Sequence, residues 1–438
     1  MFDKEGRKLN RGATYPYVLA TCAWLALAGS AAHAQQGGPV TQESTENAQA
    51  IVEYWTPERM AAAVPLDAPA VVDKGLPRPA APLPADARPG FAPGWDPKSG
   101  VEPPDPLTRY ELDDEQWASF AAYLDRQARA NAPDAFGSPP SNPVDYPGYG
   151  KFARWTWYGN YLTYPTSTIG KLFFTKPGVG NFVCSATVIG RSTIATAGHC
   201  VSSIISGTPT WHTNRLFCPS YYKASGSGGP HPNRGCWSGV SSVTTSQWFN
   251  HENFDRDYAC IVTATTGTVH ANKVGNVTGT VGRAWNWGGT DSTLAWGYPA
   301  GSPFAGYHII TVAANEWYSV NMSNDGETSV NLSSKYIGSD MTGGSSGGPW
   351  WLGTSHPNAA NNYADTDGTI YTGWVGGPWI NGVNSHKRCL VNCNTPPTAS
   401  NGLFWQEMGS PPFTSSGSDS NDSEDVFAIC LAHSNNNP

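Results

Sequence analysis

The stretch FVCSATVIGRSTIATAGHC, residues 182 to 200, sets two runs of β-branched and small residues on either side of Gly190-Arg191. Valine, isoleucine and threonine at this density suit a pleated, half-buried surface, and neither run has the length or spacing of a helix face. It reads as two strands. The second ends at Thr196-Ala197, and His199 stands just beyond it with Cys200 alongside. Cys184 lies in the first strand, so a bridge from 184 to 200 would staple together the two strands that carry this histidine. A histidine beside a cysteine is a weak signal by itself. For His212, His231, His251, His270, His308, His356 and His433 a structural or surface role is the default reading.

The same texture extends outward from about residue 150. KLFFT, YACIVTA, TLAWGYP, YHIITVAA, PWWLG and GTIYTGWVGG are short apolar or alternating runs separated by Gly, Pro, Asn and Ser clusters, which indicates an all-β sandwich or barrel. Asp367-Gly368 has the chemistry of a hairpin turn. One helix is expected at the end, where NDSEDVFAICLAH offers Asn421 or Asp422 as cap, acids in its first turn and His433 in its last. The 84 glycines and prolines among 438 residues, with only 14% charged, fit a turn-rich β protein. A net charge of -8 without a basic block gives a nucleic-acid partner no electrostatic footprint.

Upstream, the chain changes character. Residues 1 to 34 carry Lys4, Arg7, Lys8 and Arg11, then an apolar run over 17 to 28, then Ala32-His33-Ala34, the pattern of a cleaved secretion signal. That run is shorter than a bilayer span, no later stretch reaches one, and a secreted chain (extracellular or periplasmic) is expected, not bound to a membrane. Cys22 would leave with the signal, so eight cysteines remain, an even number suited to an oxidising compartment. Residues 35 to 145 read as a propeptide or N-terminal linker: the Pro/Ala/Asp mixture over 63 to 108 cannot close a core. Helices are expected near 45 to 62, disturbed at Pro57, and near 113 to 130, where Trp117, Phe120, Ala121, Leu124 and Ala128 share a face.

Two further pieces bear on chemistry. In NFDRDYACIV, residues 253 to 262, Asp257 opens a strand, where a half-buried carboxylate bonded to a histidine N–H would be satisfied and would fix that ring's tautomer. Asp255, two positions earlier, reads as a loop acid. In GGSSGGPW, residues 343 to 350, an apolar strand follows the glycines at once, which a linker would not do. Glycines around a serine let backbone N–H groups approach a substrate oxygen, so Ser346 is displayed and the N–H groups of Gly344 and Ser346 form an oxyanion hole.

TAGHC, Asp257 before an Ala-x-Ile strand, and GGSSGGP, in that order, resemble the trypsin/chymotrypsin-like serine peptidase family; SDMTGGSSGGP with WGYPAG is similar to its bacterial, glutamyl-endopeptidase-like branch. The likeness spans roughly residues 160 to 438 and implies a peptidase domain over 146 to 438. It implies two six-stranded antiparallel β-barrels with the site in the crevice between them. In that reading Ser346 is the nucleophile, His199 the base and Asp257 its orienter, no metal or cofactor is required, and the partners are protein or peptide substrates met by a monomer. The chain departs from the pattern at Ser345, where animal enzymes hold an aspartate that pairs with the freed N-terminus. Removing the N-terminal region would then activate by uncovering or completing the fold. EYWTPERM, residues 53 to 60, also resembles a segment of secreted bacterial pro-regions.

For specificity, the resemblance implicates Asp340, where trypsin-type members keep an acid for Arg or Lys, and GVNSH, residues 382 to 386, beside the substrate. Met341 is bulky, Asn384 replaces the histidine of acid-specific relatives, and Ser385-His386 stands in place of the usual Ser-Trp-Gly. Among the cysteines, Cys218 with Cys236 and Cys389 with Cys393 are near neighbours in sequence, leaving Cys260 with Cys430, though sequence alone leaves the connectivity open. Two other classes compete. A silent binding module would have a triad position replaced, and none is; a carbohydrate-active protein would show paired carboxylates in motif context, and none are found.

Overall fold

The computed structural model describes residues 37–68, 70–72, 87–111, 115, 152–157, 159, 161–222, 229–287, 292–316, 319–321, 333–352, 363–364, 370–371, 378–389 and 407–437. The expected secretion signal, the helix expected over 113 to 130 apart from Glu115, the expected Asp367-Gly368 turn and Cys393 lie outside them.

The N-terminal region begins with strand β1 (Val40–Glu43) and helix α1 (Ala48–Tyr54), whose Asn47 accepts N–H bonds from Gln49 and Ala50 as N-cap. Ile51 and Trp55 are buried, and the Trp55 indole donates to the Asn214 carbonyl at 2.6 Å. Pro57 does more than disturb a helix. It opens a second one, α2 (Pro57–Ala62), where the missing N–H is one that no helix would use. Strands β2 (Val64–Pro65) and β3 (Ala70–Val72) follow. The described parts of the stretch expected as an extended linker are thus docked: Gly90–Ala92 also joins a sheet, with Phe91 and Ala92 buried.

Six strands then close a barrel: β4 (Ile169–Lys176), β5 (Gly180–Gly190), β6 (Thr193–Thr196), β7 (Thr213–Pro219), β8 (Trp237–Thr244) and β9 (Ala259–Thr263). Their order is β8-β7-β4-β5-β6-β9, and β9 pairs back onto β8, all antiparallel. The opening motif is therefore the β5-turn-β6 hairpin. Phe173, Phe174, Val183, Ile194 and Ile261 are buried in one apolar cluster on the two faces of these strands, each side chain removed from water being worth about 2 kcal/mol. β1 adds to β8, and β2 lies parallel to β5.

The second half is also β. Strands β10 (Gly282–Trp285), β11 (Ser292–Gly297), β12 (Ile310–Asn315), β13 (Ser333–Gly338), β14 (Pro349–Leu352), β15 (Trp379–Val383), β16 (Lys387–Cys389) and β17 (Glu407–Ser410) carry it. One sheet runs Tyr110–Glu111, Gly90–Ala92, β10, β15, β14, β11, β12 and Ala153–Thr156, with β10 to β15 parallel; Ser319–Asn321, β13 and β17 form another. Tyr363–Ala364 and Ile370–Tyr371 pair antiparallel, as the hairpin reading requires. The C-terminal helix α3 (Ser423–Ala432) has Asp422 at its N-cap, but that carboxylate accepts from Thr414 Oγ1 and the Ser416 N–H and makes no capping bond. Disulfides join Cys184 to Cys200, Cys218 to Cys236 and Cys260 to Cys430, the last tying α3 to β9; the Cys389 side chain is outside the description. Among the described residues no helix is long and apolar enough to cross a membrane.

Candidate active site

Asp257 and His199 meet at the end of the first barrel. His199 sits in the short turn Gly198–Cys200 that follows β6, anchored by the Cys184–Cys200 bridge. Asp257 ends the turn Phe254–Arg256, two residues before β9, and is fully buried. Its Oδ2 lies 2.7 Å from His199 Nδ1, and its Oδ1 accepts the His199 backbone N–H at 2.7 Å. Ser385 Oγ donates to the same Oδ2 at 2.5 Å. Three donors thus satisfy a carboxylate that has no access to water. Gly198 is required for this approach, since a Cβ there would lie 2.6 Å from the Trp248 ring. Asp255 is also buried, unlike the loop acid expected, and accepts from Ser334 Oγ at 2.6 Å.

Behind Ser385 the chain of bonds continues. His386 Nδ1 is 2.8 Å from Ser385 Oγ, and its Nε2 is 2.9 Å from the Tyr336 hydroxyl. Because Ser385 donates to Asp257, its oxygen accepts the Nδ1–H of His386, and Nε2 accepts from Tyr336. Burial pushes the His386 pKa down to about 4, against the pull of Asp257 and with the push of His199, so the ring is neutral in this relay.

Ser346 lies in a glycine turn pressed against both motifs. Gly344 and Gly347 have φ of +92° and +77°, a region open chiefly to glycine. A Cβ on Gly347 would lie 2.0 Å from Thr196 Oγ1 and 2.9 Å from the Ala197 nitrogen, so the serine turn abuts the segment leading to His199. Ser185 ties it down, its N–H donating to the Ser346 carbonyl (2.7 Å) and its Oγ to the Gly344 carbonyl (2.9 Å). Ser346 Oγ and His199 Nε2 are both buried and carry no hydrogen bond. The Gly344 N–H, an expected oxyanion donor, is occupied: it donates to the Leu66 carbonyl at 2.9 Å. Ser345 Oγ donates to the Thr342 carbonyl at 2.8 Å.

The expected specificity residues each have partners within the chain. Asp340 is ion-paired with Arg154. Burial raises its pKa, and Arg154 and Lys387 oppose this. Its charge is thus answered from within the chain. Asn384 is fully buried and bolts the turn in place: its Nδ2 donates to the Trp296 carbonyl (2.9 Å) and the Ser345 carbonyl (3.1 Å), and its Oδ1 accepts from the Trp350 indole (2.8 Å). Ser385 and His386 serve Asp257, as described. Sequence reading missed Ser185, Tyr336, Arg154 and Leu66; only the first had a local signal, its place beside Cys184. One ligand atom each of Cys184, His199 and Cys200 lie within 4.8 Å of one another, but both sulfurs are in the disulfide and offer no thiolate.

No family model matches the chain, and no curated protein matches it. Among solved structures it is similar to a thermostable serine protease from an extremophilic microorganism, with 28% identity over 61% of this chain and 98% of that one and a TM-score of 0.43. It is also similar to protease Anisep from Arthrobacter nicotinovorans (26% identity, 59% and 96%, TM-score 0.42) and to a Glu endopeptidase (17% identity, 65% and 97%, TM-score 0.38). All three are proteases, and each is covered over nearly its whole length.

Proposed function

We propose that the chain is a secreted serine endopeptidase of the trypsin/chymotrypsin type, made as an inactive precursor and acting on protein or peptide substrates. The observation that supports it most is the buried Asp257–His199 pair at 2.7 Å, set against the glycine turn of Ser346. Ser346 Oγ attacks the scissile carbonyl while His199 Nε2 takes its proton, and the tetrahedral oxyanion is held by the Gly344 and Ser346 N–H groups. His199 then protonates the leaving amine, and water repeats the sequence on the acyl-enzyme. Asp257 fixes the Nδ1–H tautomer and stabilises the imidazolium; each oxyanion donor contributes about 3 kcal/mol.

A nucleophile with 0% exposure cannot meet a protein substrate, which favours the precursor reading. Ser345 has no charge to pair with a new N-terminus, so activation works by uncovering the site. Extending the processed N-terminus by a few residues should leave activity intact. The reading is tested by fluorophosphonate labelling of the processed chain with peptide mapping. Modification at Ser346 that vanishes in His199→Ala supports it; a processed chain that takes no label refutes it.

A further inference from the structure

We infer that residues 64 to 72 are a built-in inhibitor that threads the cleft backwards, a regulatory role that rests on the reading of Ser346 as nucleophile. Its path is fixed at both ends. β2 pairs parallel with β5, Val64 opposite Phe182 and Pro65 opposite Val183, and the Leu66 N–H donates to the Val183 carbonyl at 3.1 Å. The Leu66 carbonyl then accepts the Gly344 N–H at 2.9 Å, taking a donor meant for the oxyanion. Asp67 lies against Gly343, where a Cβ would sit 2.3 Å from Asp67 Oδ1, and Ala68 is buried in a cluster with Met341 and Trp350. Beyond it β3 pairs parallel with β16, Ala70 opposite Lys387.

The direction follows from the chemistry of acyl transfer. The leaving amine takes its proton from His199, so the part of a substrate C-terminal to the scissile bond must lie on the His199 side. The Cys184–Cys200 bridge marks that side, since its sulfurs lie within 4.8 Å of a His199 ring nitrogen, and β2 sits on Phe182-Val183, next to Cys184. In this segment the N-terminal residues occupy that side, and the C-terminal residues lie along β16. The Asp67 nitrogen therefore leads away from His199. If Ser346 Oγ added to the Leu66 carbonyl, His199 would hold the proton but could not deliver it to the Asp67 nitrogen. The Leu66–Asp67 C–N bond would stay intact, and the adduct would revert by expelling Ser346 Oγ, which recovers its proton. The strand blocks the site without being consumed. Pro65 and Pro69 flank Leu66 to Ala68 in sequence, and each restricts its neighbourhood to extended backbone, which lowers the entropy lost in holding the strand.

The test uses the full chain. Wild type, Ala68→Arg, and a variant with residues 64 to 72 replaced by a Gly/Ser run of equal length are treated with a fluorophosphonate, and the rate at Ser346 is followed by intact mass. Arginine cannot be seated where Ala68 is buried, so both variants should label at least about tenfold faster than wild type, in proportion to the fraction of open cleft. A synthetic peptide of residues 62 to 74, added in trans, should slow both again and be recovered whole. In wild type the Leu66 and Gly344 amides should resist hydrogen exchange as β5 does, a measurement independent of either variant. Equal labelling rates in all three chains, cleavage of the peptide between residues 64 and 72, or unprotected Leu66 and Gly344 amides would overturn the threading and leave the nucleophile standing. Absence of label in all three, each with native near-ultraviolet circular dichroism, would remove Ser346 as nucleophile and this proposal with it.

Discussion

Asp257→Asn probes the site with almost no change of shape. The amide must keep its oxygen at the Oδ1 position, because the His199 backbone N–H donates there at 2.7 Å and cannot reverse its role. The NH2 then falls at Oδ2, facing His199 Nδ1 at 2.7 Å and Ser385 Oγ at 2.5 Å. An N–H pointing at Nδ1 forces the imidazole proton onto Nε2, where it faces Ser346 and cannot take a proton from it. A base held in the wrong tautomer costs ~10⁴-fold in kcat, about 5 kcal/mol of barrier. KM should change less than threefold or so, since substrate contacts are untouched. The assay is peptide hydrolysis at pH 7 to 8 by wild type and variant processed identically, with thermal unfolding as the control for folding. A variant within about tenfold of wild type would refute the tautomer argument, and with it the assignment of Asp257.

Asp255→Asn, altering an acid bonded to Ser334, should keep kcat/KM within about tenfold of wild type, and a larger loss would move the orienting role to Asp255. Arg154→Ala frees the Asp340 carboxylate and should raise kcat/KM for substrates with Lys or Arg before the scissile bond by about tenfold over neutral ones; an unchanged ratio would place Asp340 outside the pocket. His386 is held neutral well below its unfolded value near 6.5, so the unfolded chain binds the extra proton between that pH and about 4. Stability should therefore fall on acidification across this window, by up to about 3 kcal/mol, and His386→Gln should remove that share in urea melts at pH 7 and pH 4.5. Identical slopes would contradict a buried neutral ring. Replacing Cys260 and Cys430 together by alanine opens a bridge spanning 170 residues and should lower stability by about 5 kcal/mol on chain-entropy grounds; a loss under about 1 kcal/mol in guanidinium titration would show that α3 is held by packing alone.

What could be read in advance was local. The β5-turn-β6 hairpin, the histidine beyond it, the Cys184–Cys200 staple and the serine turn each lie within a few residues of their own cause: β-branched runs, small residues, and glycines that must take positive φ. Pro57 was visible too, but proline both stops one helix and starts the next, and only the docking of Trp55 and α2 decides which. The contacts that went unread join distant positions. Arg154 and Asp340 stand 186 residues apart, and no pattern at either site announces the other. Tyr336 looks like an ordinary strand residue, and His386 like one beside the substrate, until β13 and β17 bring both behind Asp257. The Pro/Ala-rich composition over 63 to 108 argues for an extended linker because it cannot form its own core, yet backbone pairing with β5, β10 and β16 needs no apolar side chains. Composition records what a segment can bury, and is silent on which strand edges lie open to it.

The most direct measurement is a crystal structure of the processed chain after reaction with a fluorophosphonate. The account predicts phosphorus bonded to Ser346 Oγ, a phosphonyl oxygen about 3 Å from the Gly344 and Ser346 N–H groups, and His199 still paired with Asp257. Phosphorus on any other side chain, or a phosphonyl oxygen turned away from those two donors, would contradict it.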